Sequence, residues 1–179
     1  MSHLLGVKSR QAIPTAIAGT AFLLLTFAPA SWADNEADWK SLRGIRGVEV
    51  LVENLNSDVE RDGLSRDQIK TEVELRLRQS RIPVLTLEES ARTPGSPYLY
   101  VNVSTFRSPS DIYAFHIHVG VWQKVILLRQ PTKGSLVAET WHAAEIIGAS
   151  GTAKVREIRQ SVLDRVDEFI NAFLAVNPR

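Results

Sequence analysis

The sequence predicts an α+β fold, a two-layer sandwich in which two helices pack on one face of a mostly antiparallel sheet. Apolar and polar residues alternate over 111–129, which indicates a long strand with one buried face. Strand-like stretches around it are joined by short turns, which favours an antiparallel meander. Apolar stripes with helical spacing over 65–81 and 152–176 need a sheet face to cover. The predicted order of elements is β-α-β-β-β-β-α.

The first 33 residues have the composition of a secretory signal peptide. Two basic residues precede an apolar run over 12–28, and a small-residue Ser-Trp-Ala site follows at 31–33. This order predicts cleavage after Ala33 and a periplasmic or secreted protein. The alternative is an uncleaved anchor helix, because the apolar run is slightly long for a signal peptide. Only that alternative predicts attachment to a membrane.

The mature chain is predicted to be a single domain with nearly balanced charge. Removing 1–33 leaves 146 of the 179 residues, as an N-terminal lead at 34–47 and one α+β domain at 48–179. Lys plus Arg falls from 21 to 19 against 20 Asp plus Glu, a net charge of −1. Such a balance gives no electrostatic case for binding nucleic acid. The absence of cysteine excludes a disulfide framework and a lipid-anchored N-terminal cysteine.

A strand, a loop and a capped helix are predicted ahead of the meander. Valines alternate with acidic residues over 48–53, which predicts the first strand. The polar stretch 54–63 is predicted to be a loop because it ends in Asp-Gly, a turn signal. Ser65 and Gln68 form a capping box that opens a helix over 65–81. The apolar stripe of this helix consists of Ile69, Val73 and Leu77.

Four further strands and a closing helix are predicted to complete the domain. Pro83 suits the start of a short strand, where a missing backbone N–H is tolerated. The glycines of 148–151 are predicted to break the last strand before the final helix. The predicted bounds are 82–87 for the short strand, 88–97 for a loop, 98–106, 111–129 and 136–147 for the meander, and 152–176 for the helix.

One face of the long strand is predicted to have no internal cover. We call it the even face, because it carries the even-numbered residues of this strand, and we call the opposite side the odd face. Both helices are needed on the apolar odd face. The rings of the even face suit ordinary cross-strand pairing, or docking of an envelope protein or a second copy of the chain. A turn centred on 108–110 places Tyr100 opposite His118. The candidate partner-binding residues are Tyr98, Tyr100, Asn102, His116, His118, Trp122 and His142.

A metal site is the alternative use of the two histidines of the long strand. His116 and His118 share one face of a strand, about 6.5–7 Å apart, and imidazole is a common zinc ligand. A hairpin centred on Thr132 places the third candidate ligand, His142, opposite Trp122 and about 13 Å along the strand from His118. This separation is too large for His142 to bind the same metal ion. The alternative function is therefore metal binding, or metal-dependent hydrolysis, through His116 and His118, and no cofactor is predicted.

Common enzyme motifs are absent from the sequence. It has no G-x-S-x-G, no phosphate-binding glycine loop and no H-E-x-x-H. Glu139, His142 and Glu145 lie on one predicted strand, where steps of three residues place His142 on the opposite face from both carboxylates. No acid–base relay follows from this spacing, so the protein is predicted not to be an enzyme.

Segments spread over nearly all of the mature chain resemble an uncharacterised family of exported bacterial proteins. They are LRGIRGV at 42–48, ERDGL at 60–64, PYLYVNV at 97–103 and LAVNP at 174–178. This resemblance implies export and no particular activity. The element order is similar to that of small α+β domains of cell-envelope assembly factors, such as the N-terminal domain of the Tol–Pal protein TolB and envelope auxiliary lipoproteins. The prediction is a non-enzymatic periplasmic or secreted domain that binds a protein or cell-envelope component through the even face.

Overall fold

The chain forms one sheet with its two long helices on one face, which confirms the predicted α+β class. The structure is a computed structural model that describes residues 39–132 and 134–178, so the predicted signal peptide and the first part of the lead lie outside the described residues. The strands are β1 (Glu49–Val52), β2 (Tyr98–Arg107), β3 (Ile112–Val125), β4 (Leu136–His142) and β5 (Ile146–Gly151). The helices are α1 (Ser57–Arg61), α2 (Arg66–Gln79), α3 (Leu87–Arg92) and α4 (Val155–Val176), and a 3-10 turn (Thr152–Lys154) leads into α4.

The sheet is mixed, and β3 is its central strand. β2 is antiparallel to β3, and β3 is antiparallel to both β4 and β5, as a meander requires. β1 is parallel to β2, because three helices form a crossover between them. β4 pairs with the second half of β3 and β5 with its first half. The two strands therefore lie end to end along one edge of β3, interrupted at 143–145.

The core lies between the odd face of the sheet and the two long helices. The predicted stripe of α2 is fully buried, and the wider stripe of α4 includes Phe169, which is also fully buried. Trp141 of β4 contacts the Phe169 ring edge-on at a centroid distance of 5.5 Å. Burial of each such side chain contributes about 1.5–3 kcal/mol to folding. The sheet residues of this core include Leu99, Val101, Val103, Tyr113, Ile117, Val119 and Val121.

The described part of the lead is attached to the C-terminal end of α4. Leu42 is fully buried in the core. The side chain of Asn177 accepts a hydrogen bond from the Gly44 amide at 2.8 Å and donates one to the Leu42 carbonyl at 3.0 Å. We call these two bonds the terminal clasp. Gly44 has a φ of +80°, which a glycine adopts without strain.

The predicted strand at 82–87 and the predicted loop at 88–97 are wrong. Val84 forms only an isolated bridge to Val48, and the chain then turns into α3. Thr86 and Glu89 form a capping box, with the Glu89 amide donating to the Thr86 hydroxyl and the Thr86 amide donating to the Glu89 carboxylate. This box satisfies backbone donors at the helix start and favours α3 over an extended strand. The polar stretch predicted as a loop likewise contains α1.

The last predicted strand has the wrong bounds. It is interrupted at 143–145, and the glycine-rich 148–151 segment, predicted as a break, belongs to β5. Gly148 lies against the ring of Phe115, where an added Cβ would come within 2.5 Å of the ring Cζ. A glycine at 148 therefore allows the Phe115 ring to pack directly against the backbone of β5. No helix within 39–132 and 134–178 has the length and apolar character to cross a membrane.

Candidate functional site

The pairing of β3 with β4 places His142 beside His118, which corrects the sequence prediction. His142 lies opposite Gly120, not opposite Trp122. The imidazole rings of His118 and His142 are stacked, with centroids 6.0 Å apart and planes at 24°. Two features cause the difference. The hairpin closes with Val125 opposite Leu136, and a β-bulge leaves Thr140 as an extra residue in β4.

The pairing of β2 with β3 also differs from the prediction, by two residues. Tyr100 lies opposite Gly120, and Asn102 takes the predicted place of Tyr100 opposite His118. The Tyr100 ring lies near the rings of His118 and Trp122, the residues on either side of Gly120 on the even face of β3. Its centroid is 6.3 Å from that of His118 and 6.0 Å from that of Trp122.

All of the predicted partner-binding residues lie on the even face, and direct ring contacts join part of the set. Tyr100, His118, Trp122 and His142 form a continuous chain of rings. The other members, Tyr98, Asn102 and His116, lie on the same face of β2 and β3. The side chain of Asn102 hydrogen-bonds to Tyr100. Among the described residues, no ring–ring contact joins Tyr98 or His116 to this chain of rings. The strand pattern was therefore sufficient to identify the face but not the contacts on it.

Two carboxylates that the sequence prediction separated from the histidines contact them directly. His118 Nε2 is 2.5 Å from Glu139 Oε1, and its Nδ1 is 3.2 Å from Glu145 Oε1. His116 Nε2 is 3.3 Å from Glu145 Oε2. The prediction that His142 faces away from both carboxylates is wrong. The bulge in β4 and the interruption at 143–145 each insert one residue, and each insertion reverses the alternation of faces.

Gly120 makes room for the contact between Glu139 and His118. A Cβ added to Gly120 would collide with the Glu139 carboxylate and lie 3.1 Å from the Trp141 carbonyl oxygen. Gly120 is itself buried. The Glu139 side chain therefore crosses β3 directly over this glycine to reach the imidazole.

Helix α4 holds the interruption that brings Glu145 to the even face. The Ala144 amide donates to Glu168 at 3.1 Å, and Arg165 donates to the Ala144 carbonyl at 3.5 Å. Arg165 and Glu168 are themselves joined by an ion pair at 2.7 Å. Two residues on the helical side of the sheet thus satisfy backbone groups that a regular strand would pair.

Hydrogen bonds, burial and neighbouring charges shift the pKa values of an acid and a tyrosine on the even face. The hydrogen bond with His116 lowers the pKa of Glu145 below its ordinary value, and the contact with His118 acts in the same direction. Burial raises the pKa of Tyr100, and the adjacent carboxylate of Glu53 raises it further. The sequence offered a signal for Glu53. It alternates with the buried valines of β1 and must point to the other side of the sheet.

Exposed apolar side chains lie at both ends of the even face. At one end an open groove of about 350 Å³ lies between the sheet and α3, lined in part by Leu51, Leu87 and Val137. At the other end Phe106 is 70% exposed and Ile147 is 84% exposed. Large apolar side chains that stay exposed in such groups mark candidate interaction sites.

No group of three or more His, Asp or Glu residues in the described part of the chain is arranged to hold a metal ion. The metal-binding alternative stays a prediction from the sequence. A scan against protein-family models finds no match, and a search of curated proteins finds none either.

Proposed function

We propose that the chain is a non-enzymatic domain of the periplasm or the extracellular space that binds a protein or a cell-envelope component through its even face. The observation that supports this proposal is that the two long helices cover only one face of the sheet. Both long helices lie on the odd face, and no described element covers the ring and carboxylate cluster of the even face. The composition of 1–33 supports export.

Ordinary cross-strand pairing accounts for part of this surface and leaves part of it unexplained. Ring pairs and His–carboxylate contacts stabilise a half-exposed sheet by themselves. They do not explain large apolar side chains that are mostly exposed at both ends of the face, such as Leu87, Phe106 and Ile147. Removing such side chains from water on contact with a partner would favour binding by about 25 cal/mol for each Å² buried.

The test is a double variant, Tyr100→Ser with Trp122→Ser, compared with the unchanged chain in affinity capture from a cross-linked envelope. We expect the variant to lose the cross-linked species, because both rings belong to the ring cluster on the two middle strands of the face, β2 and β3. The matched control is Leu75→Ser, an exposed apolar residue of α2 on the helical side.

Thermal unfolding of all three proteins shows whether the domain remains folded. Capture of the same species by the folded double variant and by the unchanged chain would refute docking through the even face.

A further inference from the structure

The even face carries an excess of negative charge. β1, β4, β5 and the residues next to them place Glu49, Glu53, Glu139 and Glu145 on it, whereas the described strands contribute one basic side chain, Lys124. Histidines partner two of these carboxylates, and the other two lie beside tyrosines. A partner that binds here meets carboxylates spread across the width of the sheet.

The rings between these carboxylates suit a positively charged group. Tyr100 and Trp122 meet edge to face, with centroids 6.0 Å apart, and neither ring is fully buried. Aromatic faces attract arginine and lysine side chains, and arginine also stacks on them. A cation above this pair would have ring faces beneath it and carboxylates on either side.

The distance between the two apolar ends of the even face determines how long a bound segment of a partner must be to contact both. The groove beside Tyr98 and the exposed side chain of Phe106 lie at opposite ends of β2. Eight residue steps along a strand span about 26 Å. An extended segment of about nine residues reaches from one apolar end to the other across the acidic centre.

Other occupants fit this surface less well. Two copies of the chain meeting face to face would bring the same carboxylates together, which like-charge repulsion opposes. Anionic lipid headgroups are disfavoured for the same reason. The edge of the sheet formed by β4 and β5 is also a poor site for an added strand. It is interrupted at 143–145, where α4 already binds the backbone of Ala144.

We infer, on the basis of the function proposed above, that the even face binds a cationic segment of another protein. Arginine or lysine side chains in the half of the segment nearer the groove lie over Tyr100 and Trp122, between Glu53 and Glu139. Apolar side chains at its ends contact the groove beside Leu87 and the surface around Phe106.

The test uses synthetic peptides of about nine residues and the purified, isotope-labelled protein. One peptide has leucines at its ends and arginines between them, the second has glutamates in place of the arginines, and the third has serines in place of the leucines. Binding is followed by the NMR signal of the Trp122 indole N–H, an atom that has no hydrogen-bond partner within the described residues. We expect the arginine peptide with leucine ends to bind most tightly, and added salt to weaken its binding.

A charge variant tests the role of the carboxylates. Glu53→Gln with Glu139→Gln should weaken binding of the arginine peptide about tenfold. The control Glu60→Gln with Asp67→Asn removes the same charge from the helical side, where both residues are exposed, and should leave the affinity unchanged.

Equal or tighter binding of the glutamate peptide, or no shift of the Trp122 signal with any peptide, would overturn the inference. The first of these results leaves docking through the even face intact. Failure of the proposed function would be seen in the other experiment. There the Tyr100→Ser, Trp122→Ser variant would capture the same species from the envelope as the unchanged chain.

Discussion

At the scale of single residues, the missing side chain of Gly120 determines which groups meet on the even face. It leaves space for the Glu139 carboxylate, which crosses it to reach His118. The ring of Tyr100, the residue opposite this glycine, is also near His118, with centroids 6.3 Å apart. A sequence pattern identifies a glycine in a strand, but not the side chain from another strand that crosses it. Those contacts depend on the register of two strand pairings.

The substitution Gly120→Ala should separate Glu139 from His118. Its Cβ would occupy the position of the carboxylate and press on the Trp141 carbonyl, so we expect the free energy of unfolding to fall by about 1–2 kcal/mol. Urea unfolding measures the change. Gly151→Ala is the control, because Gly151 has an ordinary φ of −66° and nothing within 4 Å of an added Cβ. Equal stability of both variants would contradict the packing described for Gly120.

The titration of Glu145 should depend on His116. The histidine holds the pKa of Glu145 below its ordinary value, so His116→Ala should raise that pKa. A carboxyl group with a lowered pKa in the folded state stabilises folding above its unfolded pKa, and this contribution disappears as the pH falls through the folded pKa. Carbon NMR titration of the Glu145 carboxyl measures the shift. An unchanged pKa in the variant would mean that His116 does not hold this carboxylate in solution.

At the scale of elements, regular patterns were predictable and one-residue insertions were not. The Ser65 cap placed the start of α2 correctly, and alternation placed β2 and β3 within a few residues of their observed bounds. The Thr86–Glu89 box carries the same kind of signal, but the proline-led stretch before it was interpreted as a strand. The interruption at 143–145 depends on Arg165 and Glu168, which are more than 20 positions away in the sequence. No local pattern reports such a contact.

Removal of the helix contact should loosen the interruption between β4 and β5. In Glu168→Ala the Ala144 amide loses its acceptor and Arg165 loses its ion-pair partner, so we expect a loss of about 0.5–1.5 kcal/mol in the free energy of unfolding. Glu168→Gln keeps an oxygen acceptor and should lose less. Hydrogen exchange at the Ala144 amide should become faster in the alanine variant. Exchange at the rate of the unchanged chain would show that Glu168 does not hold this segment.

At the scale of the whole molecule, the one-sided sheet was predictable because it follows from counting apolar faces. Two amphipathic helices pack on the apolar face of an alternating strand, and the other face of the sheet stays uncovered in any strand register. The chemistry of that face was only partly predictable. The residues that alternation assigned to it are found there, whereas Glu139 and Glu145 reach it through two irregularities. The alternation of β1 thus accounts for the acidic residues of that strand, and the other two carboxylates of the face emerged only from the folded chain.

The terminal clasp has a consequence for the order in which the chain can fold. Asn177 bonds to Gly44 and Leu42, which precede it by 133 and 135 positions. A chain that emerges from a ribosome or a membrane channel with its N-terminus first exposes the lead long before Asn177 is present. The sheet can begin to pair during this interval, but the lead acquires its last bonds only after almost the whole chain has emerged. Closure of the clasp is therefore a late folding event.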